Sequence, residues 1–242
     1  MGGVRRRPNM TLAVKRLIRD VAARVPELAH VKPSRILVVA GEARRASRAT
    51  IRPAHFKETG RRGGRGGRRK PLIQIKGRKI LYVITLRPRW FVDSTPEQRV
   101  ATVLHELYHA SERFDGTLHK GRLHQRLPRG RYERRIRAMR DRYLAVAPDE
   151  VVAPFSHRGT ARVRMWLERP GSSYRVGEYG GRRLYTEKQL FQGLMPMRPT
   201  GDGRGRSRQG RKARADGRRP RPEGGTWGEV SGSFERSREE GA

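Results

Sequence analysis

His105-Glu106-Leu107-Tyr108-His109, in the middle of the chain, has the form H-E-x-x-H and lies in an otherwise apolar run. On an α-helix, residues four positions apart share one face, so both imidazoles can point at a single ion. Glu106 follows the first histidine directly, which places its carboxylate beside a metal-bound water rather than on the metal. Two neutral nitrogen ligands, a Lewis acid and a general base are the minimum that zinc-assisted hydrolysis requires. The pattern therefore predicts a zinc site.

The alternative interpretation is that His105 and His109 lie on a buried helix and find ordinary hydrogen-bond partners. Metal binding is favoured because two unpaired imidazoles beside a carboxylate are costly in a core that holds no metal. Tyr108 lies inside the motif, but the chemistry does not require it, and we interpret it as a packing residue.

The residues before the motif predict the start of a helix. Thr95 would be the N-cap, Pro96 would occupy the first helical position, and Gln98 would close a capping box onto Thr95. The apolar residues that follow recur at helical spacing and predict a helix packed against a sheet. They are Val100, Val103, Leu104 and Leu107.

Composition limits the size of the core and predicts a class of partner. Of the 242 residues, 34% are hydrophobic and 33% are charged, so a core cannot extend over the whole length. Lys and Arg number 57 against 23 Asp and Glu, which gives a net charge of +34. This excess favours polyanions such as DNA, RNA or an acidic protein. The alternative is a solvated surface without a dedicated partner.

The chain contains no cysteine, which excludes disulfides and thiolate zinc sites. The basic segment 1–8 is not followed by the apolar region of a signal peptide, and no long apolar run occurs elsewhere. We therefore expect a cytoplasmic protein that does not span a membrane.

The apolar pattern predicts helices and strands in alternation. Helical spacing predicts an N-terminal helix over residues 10–25, and it predicts a later amphipathic helix that packs against the motif helix through Tyr132, Ile136, Met139 and Tyr143. Short apolar runs between turn residues predict strands at 36–40, 50–56, 72–75 and 80–86, the last two around a turn at 76–78. Residues 60–70 contain only Gly, Arg and Lys and predict a flexible loop, whose charge either binds RNA or is incidental.

A catalytic zinc needs a third protein ligand. The turn residues Asp115-Gly116 allow the chain to fold back after the helix, which makes His119 and His124 the two near candidates. We prefer His124 because it closely precedes the next predicted helix, and keep His119 as the alternative; the other histidine would then bind substrate or stabilise the oxyanion. Glu112 is a weaker candidate. Asp115 would either orient a ligand imidazole or, with more support, end the helix as a turn residue.

Residues 80–124 resemble the zinc metallopeptidases of bacteria and phages related to the SprT-like group. The resemblance is carried by the strand at 80–84, by the H-E-x-x-H helix and by Phe114-Asp115-Gly116-Thr117-Leu118 followed by a histidine. It extends over about residues 10–147 and implies a compact zincin-like α+β domain, with zinc on the motif histidines and a third downstream histidine, and with the motif glutamate as base. The Cys-containing zinc ribbon of such proteins has no counterpart here.

Together these patterns predict four parts of the chain. They are a flexible basic N-terminus, a zincin-like domain, a small β-rich appendage and a disordered basic tail, over residues 1–9, 10–147, 148–197 and 198–242.

Three functions fit the sequence. The first is a zinc peptidase in which Glu106 deprotonates a zinc-bound water that attacks the peptide carbonyl, with substrates near nucleic acid. The second is a basic nucleic-acid-binding protein whose zinc site is vestigial or structural, closed by His105, His109, His119 and His124. The third and weakest is zinc-dependent hydrolysis of a non-peptide bond. An intact Glu106 favours the first, because a structural site gains nothing from this carboxylate.

Overall fold

Helices and strands alternate along the part of the chain that the computed structural model describes, which is residues 7–41, 47–54, 72–122, 129–167, 178–179 and 182–198. The α-helices in these ranges are α1 Met10–Arg24, α2 Pro88–Phe91, α3 Pro96–Tyr108, α4 Arg129–Leu144 and α5 Asp149–Val152. The strands are β1 Ile36–Ala40, β2 Ala49–Pro53, β3 Leu72–Ile75, β4 Arg78–Lys79, β5 Tyr82–Leu86, β6 Gly159–Trp166, β7 Glu178–Tyr179, β8 Arg182–Tyr185 and β9 Leu190–Met197. The predicted α+β class is confirmed.

A five-stranded sheet with the order β2-β5-β1-β6-β9 forms the centre of the fold. Strand β1 runs parallel to both of its neighbours, whereas the outer strands β2 and β9 are antiparallel to β5 and β6. Within the described residues, β2 is therefore one free edge of this sheet. Pro53 in the second predicted strand favours such an edge position, because proline has no N–H to donate to a neighbouring strand.

Both faces of the central sheet are covered, which explains why all five residues of β1 are buried. Ile36 and Val38 belong to a core shared with α1, α3 and α4, whereas Leu37 and Val39 pack toward Ile73 of the second sheet. This second sheet has the order β4-β3-β8-β7. Alternation of side chains along a strand sends neighbouring residues to opposite faces, so the continuous apolar run of β1 serves two cores.

The N-terminal helix lies where predicted and buries Val14, Leu17, Ile18 and Val21, but Leu12, which has the same helical spacing, is about half exposed. Asn9 caps α1 by accepting a hydrogen bond from Leu12 N at 3.1 Å, and the helix ends at Val25 before Pro26. Pro8, which we expected in the flexible N-terminus, accepts a hydrogen bond through its carbonyl from Arg162 N of β6. The start of the helix is thus attached to the central sheet.

Two strand assignments differ from the prediction because strand pairing is a long-range property. The turn at Lys76-Gly77 is present, but β3 pairs with the short β4, while β5 leaves the expected hairpin and pairs with β1 and β2. In the range predicted as an appendage, β6 pairs directly with β1 and with β9. These two long strands extend the central sheet instead of forming a separate one. Leu167 follows β6 and is largely exposed.

Several predictions concern residues outside the described ranges. These are the Arg/Gly loop 60–70, the end of the second predicted strand at 55–56, His124 and the basic tail from residue 199 onward. Among the described residues, no helix has the length and apolar character needed to cross a membrane.

Candidate metal centre

Helix α3 begins as the sequence predicts. Thr95 Oγ1 accepts a hydrogen bond from Gln98 N at 3.2 Å, and Gln98 Oε1 accepts one from Thr95 N at 3.2 Å. Pro96 occupies the first turn, where its missing N–H has no partner to lose. The predicted stripe is buried in the main core: Val100, Val103, Leu104 and Leu107. The cap and the buried stripe determine where α3 begins and which face it buries. They therefore also determine the direction in which the H-E-x-x-H residues of its last turn point.

The two motif histidines meet at the C-terminal end of α3. His105 lies in the last turn and His109 is the C-cap residue, with its backbone still in the right-handed helical region. Their Nε2 atoms are 3.3 Å apart and their rings are nearly perpendicular, at 84°. Two nitrogens bound to one tetrahedral zinc at about 2.0–2.1 Å are separated by about 3.3 Å. The donor atoms of this pair therefore fit a single metal ion.

The third ligand is not identified within the described residues. No third His, Asp, Glu or Cys among them joins the pair in a group that could hold a metal ion. The Nε2 atom of His119 lies 3.8 Å from Glu112 Oε1, and Glu112 in turn accepts a hydrogen bond from Arg122 at 2.6 Å. The imidazole of His119 thus lies beside Glu112, while His124, our preferred candidate, lies outside the described ranges.

Glu106 is buried between α3 and the central sheet. Its Oε2 atom accepts a hydrogen bond from Ile51 N of β2 at 2.7 Å. Burial raises the pKa of Glu106 to about 7, while the Ile51 N–H and the nearby charge of Arg87 act in the opposite direction. Arg87 is itself buried and donates to Thr50 Oγ1 at 3.4 Å. A cation beside this carboxylate would also favour its charged form.

The hydrogen-bond pattern of β2 shows which side of the strand faces Glu106. Alternate residues of an antiparallel pair exchange backbone hydrogen bonds. Arg48 and Ala54 bond to the β5 side in this way, through Arg87 N and Leu81 O. Ile51 lies an odd number of residues from both, so its N–H points away from β5 toward the free edge. The motif glutamate therefore lies at the open edge of the sheet.

The loop after α3 is held by a set of hydrogen bonds that explains Asp115. Asp115 Oδ1 accepts from Ser111 Oγ at 2.7 Å and from both the N–H and the hydroxyl of Thr117. These donors hold the pKa of Asp115 well below its usual range. Tyr82 Oη also bonds to this loop, donating to Thr117 O at 2.7 Å. Asp115 is thus a turn residue, the better supported of our two interpretations.

The same loop returns the chain to the end of the helix. Ala110 and Leu118 form an isolated antiparallel bridge, and His119 N donates to His109 O at 2.9 Å. Gly116 has φ of +90°, a backbone conformation that side chains rarely allow, so glycine is required at this turn. The backbone of residue 119 is therefore close to His109 even though the two imidazoles are not grouped.

One residue at the centre was not singled out by the sequence. Tyr132 of α4 is buried, as its place in the apolar stripe predicts. Its hydroxyl, however, lies 3.3 Å from His109 Nε2, and its ring is stacked on His109 with 17° between the planes. The sequence feature that could have indicated this contact is the hydroxyl group itself: residue 132 of the apolar stripe is a tyrosine, not a phenylalanine. Tyr108, by contrast, packs beneath the guanidinium of Arg122.

A histidine pair and a glutamate at one helix end are typical of metal-dependent hydrolases. A family model described as "Putative phage metallopeptidase" matches residues 7–129, just over half of the chain. The chain belongs to this family, and membership implies a metal ion. No curated protein and no solved structure matches the chain.

Proposed function

We propose that this protein is a cytoplasmic zinc peptidase of the H-E-x-x-H type, related to the SprT-like group. The observation that carries the proposal is the 3.3 Å separation of His105 Nε2 and His109 Nε2, next to a glutamate buried at a free sheet edge. The separation fits one tetrahedral ion, and the neutral nitrogen donors suit zinc. The adjacent carboxylate of Glu106 can serve as the acid–base group beside the ion.

Each residue of the site has a distinct role in this proposal. His105 and His109 hold zinc, and His124 is the third ligand, with His119 as the alternative. Bound zinc supplies a Lewis acid that acidifies water and polarises a carbonyl. Glu106 accepts the proton of the attacking water at its carboxylate and later gives it to the leaving amine.

The free edge of β2 gives the substrate a place to bind. An extended peptide can add to an exposed sheet edge through backbone hydrogen bonds. Ile51 lies on this edge, and its N–H is 2.7 Å from Glu106 Oε2. Because the Ile51 N–H already donates to Glu106 and Pro53 has no N–H, a peptide at this edge would pair with the remaining backbone groups of β2 and lie beside the general base.

The decisive experiment compares wild type with Glu106→Gln in the full chain. Zinc content is measured by metal analysis, and hydrolysis is followed on fluorescently labelled β-casein, an unfolded protein. We expect Glu106→Gln to retain one zinc per chain and to lose activity by about 10²–10⁴-fold, the usual contribution of a general base. Glu97→Gln is the matched control, because Glu97 lies in the first turn of the same helix and is exposed.

The outcomes of this experiment separate the chemistry from the metal site. A fully active Glu106→Gln protein would contradict the role of the carboxylate. Absence of zinc from purified wild type would contradict the metal site, and with it the peptidase. Loss of activity in Glu97→Gln as well would indicate damage to the helix rather than to the chemistry.

Zinc affinity also identifies the third ligand. Wild type is compared with His124→Ala and His119→Ala by competition with a chelator. We expect only His124→Ala to weaken zinc binding, which leaves one coordination position for water. Weakening by both changes would indicate a site closed by four histidines, and it would favour the second function, a nucleic-acid-binding protein with a structural zinc.

Contact with nucleic acid remains part of the proposal, as a property of the surface. The net charge of +34 and the exposed arginines Arg131, Arg134 and Arg137 of α4 support it. We expect a labelled DNA or RNA oligonucleotide to bind with an affinity that falls steeply as salt is raised. Failure to bind either oligonucleotide at low salt would remove this part and leave the peptidase untouched.

A further inference from the structure

Tyr132 differs from the other tyrosine of the α4 stripe in what its hydroxyl contacts. Tyr143 Oη donates to Asp20 Oδ2 at 2.8 Å, a hydrogen bond of normal length. Tyr132 Oη has two longer contacts, at 3.3 Å to His109 Nε2 and at 3.5 Å to His105 O. Both rings are buried. The hydroxyl of Tyr132 is therefore directed at His109 Nε2, one of the two atoms that would hold a metal, and at a carbonyl of the same helix end.

The contact with His109 changes when a metal is bound. A neutral imidazole nitrogen has one lone pair, which accepts either a proton donor or a metal, not both. Once Nε2 of His109 serves a metal ion, it cannot accept the phenolic proton. The Tyr132 O–H, whose other acceptor His105 O is 3.5 Å away, can then turn toward a closer acceptor on the metal-facing side of the two histidines.

The packing around Tyr132 keeps this hydroxyl in place. The ring is stacked on His109 and makes an edge contact with His105, with centroids 5.5 Å and 5.0 Å away. A third contact is edge-on to Tyr108, with centroids 5.8 Å apart. Because three aromatic side chains at the end of α3 contact the buried ring, the hydroxyl needs little reorganisation to act, which is the condition for electrostatic stabilisation of a transition state.

We propose that Tyr132 is a catalytic residue whose hydroxyl donates a hydrogen bond to the substrate carbonyl oxygen as that oxygen gains negative charge. This inference rests on the proposed peptidase function. A phenol is suited to the role because it is neutral at physiological pH in its ordinary state and carries one strong donor. The proposal gives helix α4 a part in the chemistry in addition to its packing against α3.

The test uses the full zinc-loaded chain and the single-atom change Tyr132→Phe, which keeps the ring. Tyr143→Phe is the matched control, because it removes the same hydroxyl oxygen from a tyrosine of the same helix, 11 residues further along. On labelled β-casein, we expect Tyr132→Phe to lower kcat by about 10²–10³-fold, the effect of removing one oxyanion donor, with KM nearly unchanged. Zinc affinity, measured by chelator competition, should stay within about threefold of wild type, and Tyr143→Phe should keep full kcat.

A binding measurement tests the same inference and does not depend on turnover of a substrate. The probe is a phosphoramidate version of the casein segment that wild type cleaves, since its tetrahedral anionic group resembles the transition state. By calorimetry, Tyr132→Phe should bind this probe more weakly by the same factor as the loss in kcat. Its affinity for the unmodified segment should not change.

Three results would overturn the inference while wild type is active. The first is an unchanged kcat in Tyr132→Phe. The second is a loss of zinc affinity of more than tenfold in Tyr132→Phe, because the phenol would then be a zinc ligand. The third is an equal loss of kcat in Tyr132→Phe and Tyr143→Phe. An inactive wild type is a different result, because it removes the peptidase itself and the inference with it.

Discussion

Arg99 connects helix α3 to the rest of the fold through a fully buried guanidinium. It donates hydrogen bonds to the carbonyl oxygens of Phe91, Val92 and Phe155. Burial lowers the pKa of Arg99 to about 10, so the side chain stays charged at neutral pH. The three carbonyls belong to the end of α2 and to the short 3₁₀ helix Ala153–Ser156. A single side chain thus positions helix α3, which carries the two motif histidines.

Arg99→Met removes every donor and keeps most of the packing volume. Each carbonyl left buried without a partner costs about 1–3 kcal/mol, or about 3–9 kcal/mol for three. Removal of a buried charge recovers several kcal/mol of desolvation, which offsets part of this loss. We therefore expect a net decrease of about 2–5 kcal/mol in the free energy of unfolding, a large share of the total for a domain.

Urea and thermal unfolding of the full chain measure this change. For a domain of this size, the expected loss lowers Tm by about 5–15 °C. Arg16→Met, on the exposed side of α1, makes the same chemical change and should alter the free energy of unfolding by no more than about 0.5 kcal/mol. A loss below about 1 kcal/mol in Arg99→Met would refute the reasoning, because the three hydrogen bonds would then contribute nothing net.

Three further changes test the motif helix, its loop and the metal. Thr95→Ala removes the acceptor for Gln98 N and should lower the unfolding free energy in urea by about 1 kcal/mol, whereas Thr95→Ser should lose little. The pKa of Asp115 is lowered by folding, so its carboxylate stabilises the protein above about pH 4 and loses this effect as the pH falls further. The stability difference between wild type and Asp115→Asn should therefore be present at pH 7 and smaller at pH 3; an equal difference at both would contradict it. A chelator should lower Tm of wild type but not of His105→Ala, because a bound ion stabilises only the fold that binds it.

The sequence was sufficient for elements whose signals are local. The N-cap, the first-turn proline and the apolar stripe of α3 lie within 13 residues of one another, and all of them hold in the structure. The continuous apolar run at 36–40 likewise predicted the strand β1, all five residues of which are buried. Local propensity and burial act together here, so neither depends on distant parts of the chain.

Pairings between distant residues were not accessible in the same way. Nothing in the neighbourhood of residues 80–86 indicates that β5 pairs with β1 and β2 instead of completing a hairpin with β3. The contact of Glu106 with Ile51 joins residues 55 positions apart and depends on that pairing. Tyr132 was assigned correctly to the core, but the direction of its hydroxyl follows from how α4 crosses α3, which an apolar stripe does not specify.

The two motif histidines, Glu106 and Tyr132 lie together at the C-terminal end of α3. The last carbonyls of a helix lack intrahelical partners and carry the negative end of its dipole. His105 O and His109 O lie at this end, and they are met by Tyr132 Oη and His119 N. The carboxylate of Glu106 adds further negative charge in a buried place. A cation held by the two imidazoles would be stabilised by both sources, and it would lower the energy of keeping Glu106 ionised. We therefore expect metal binding and the charged state of the base to be coupled, each favouring the other.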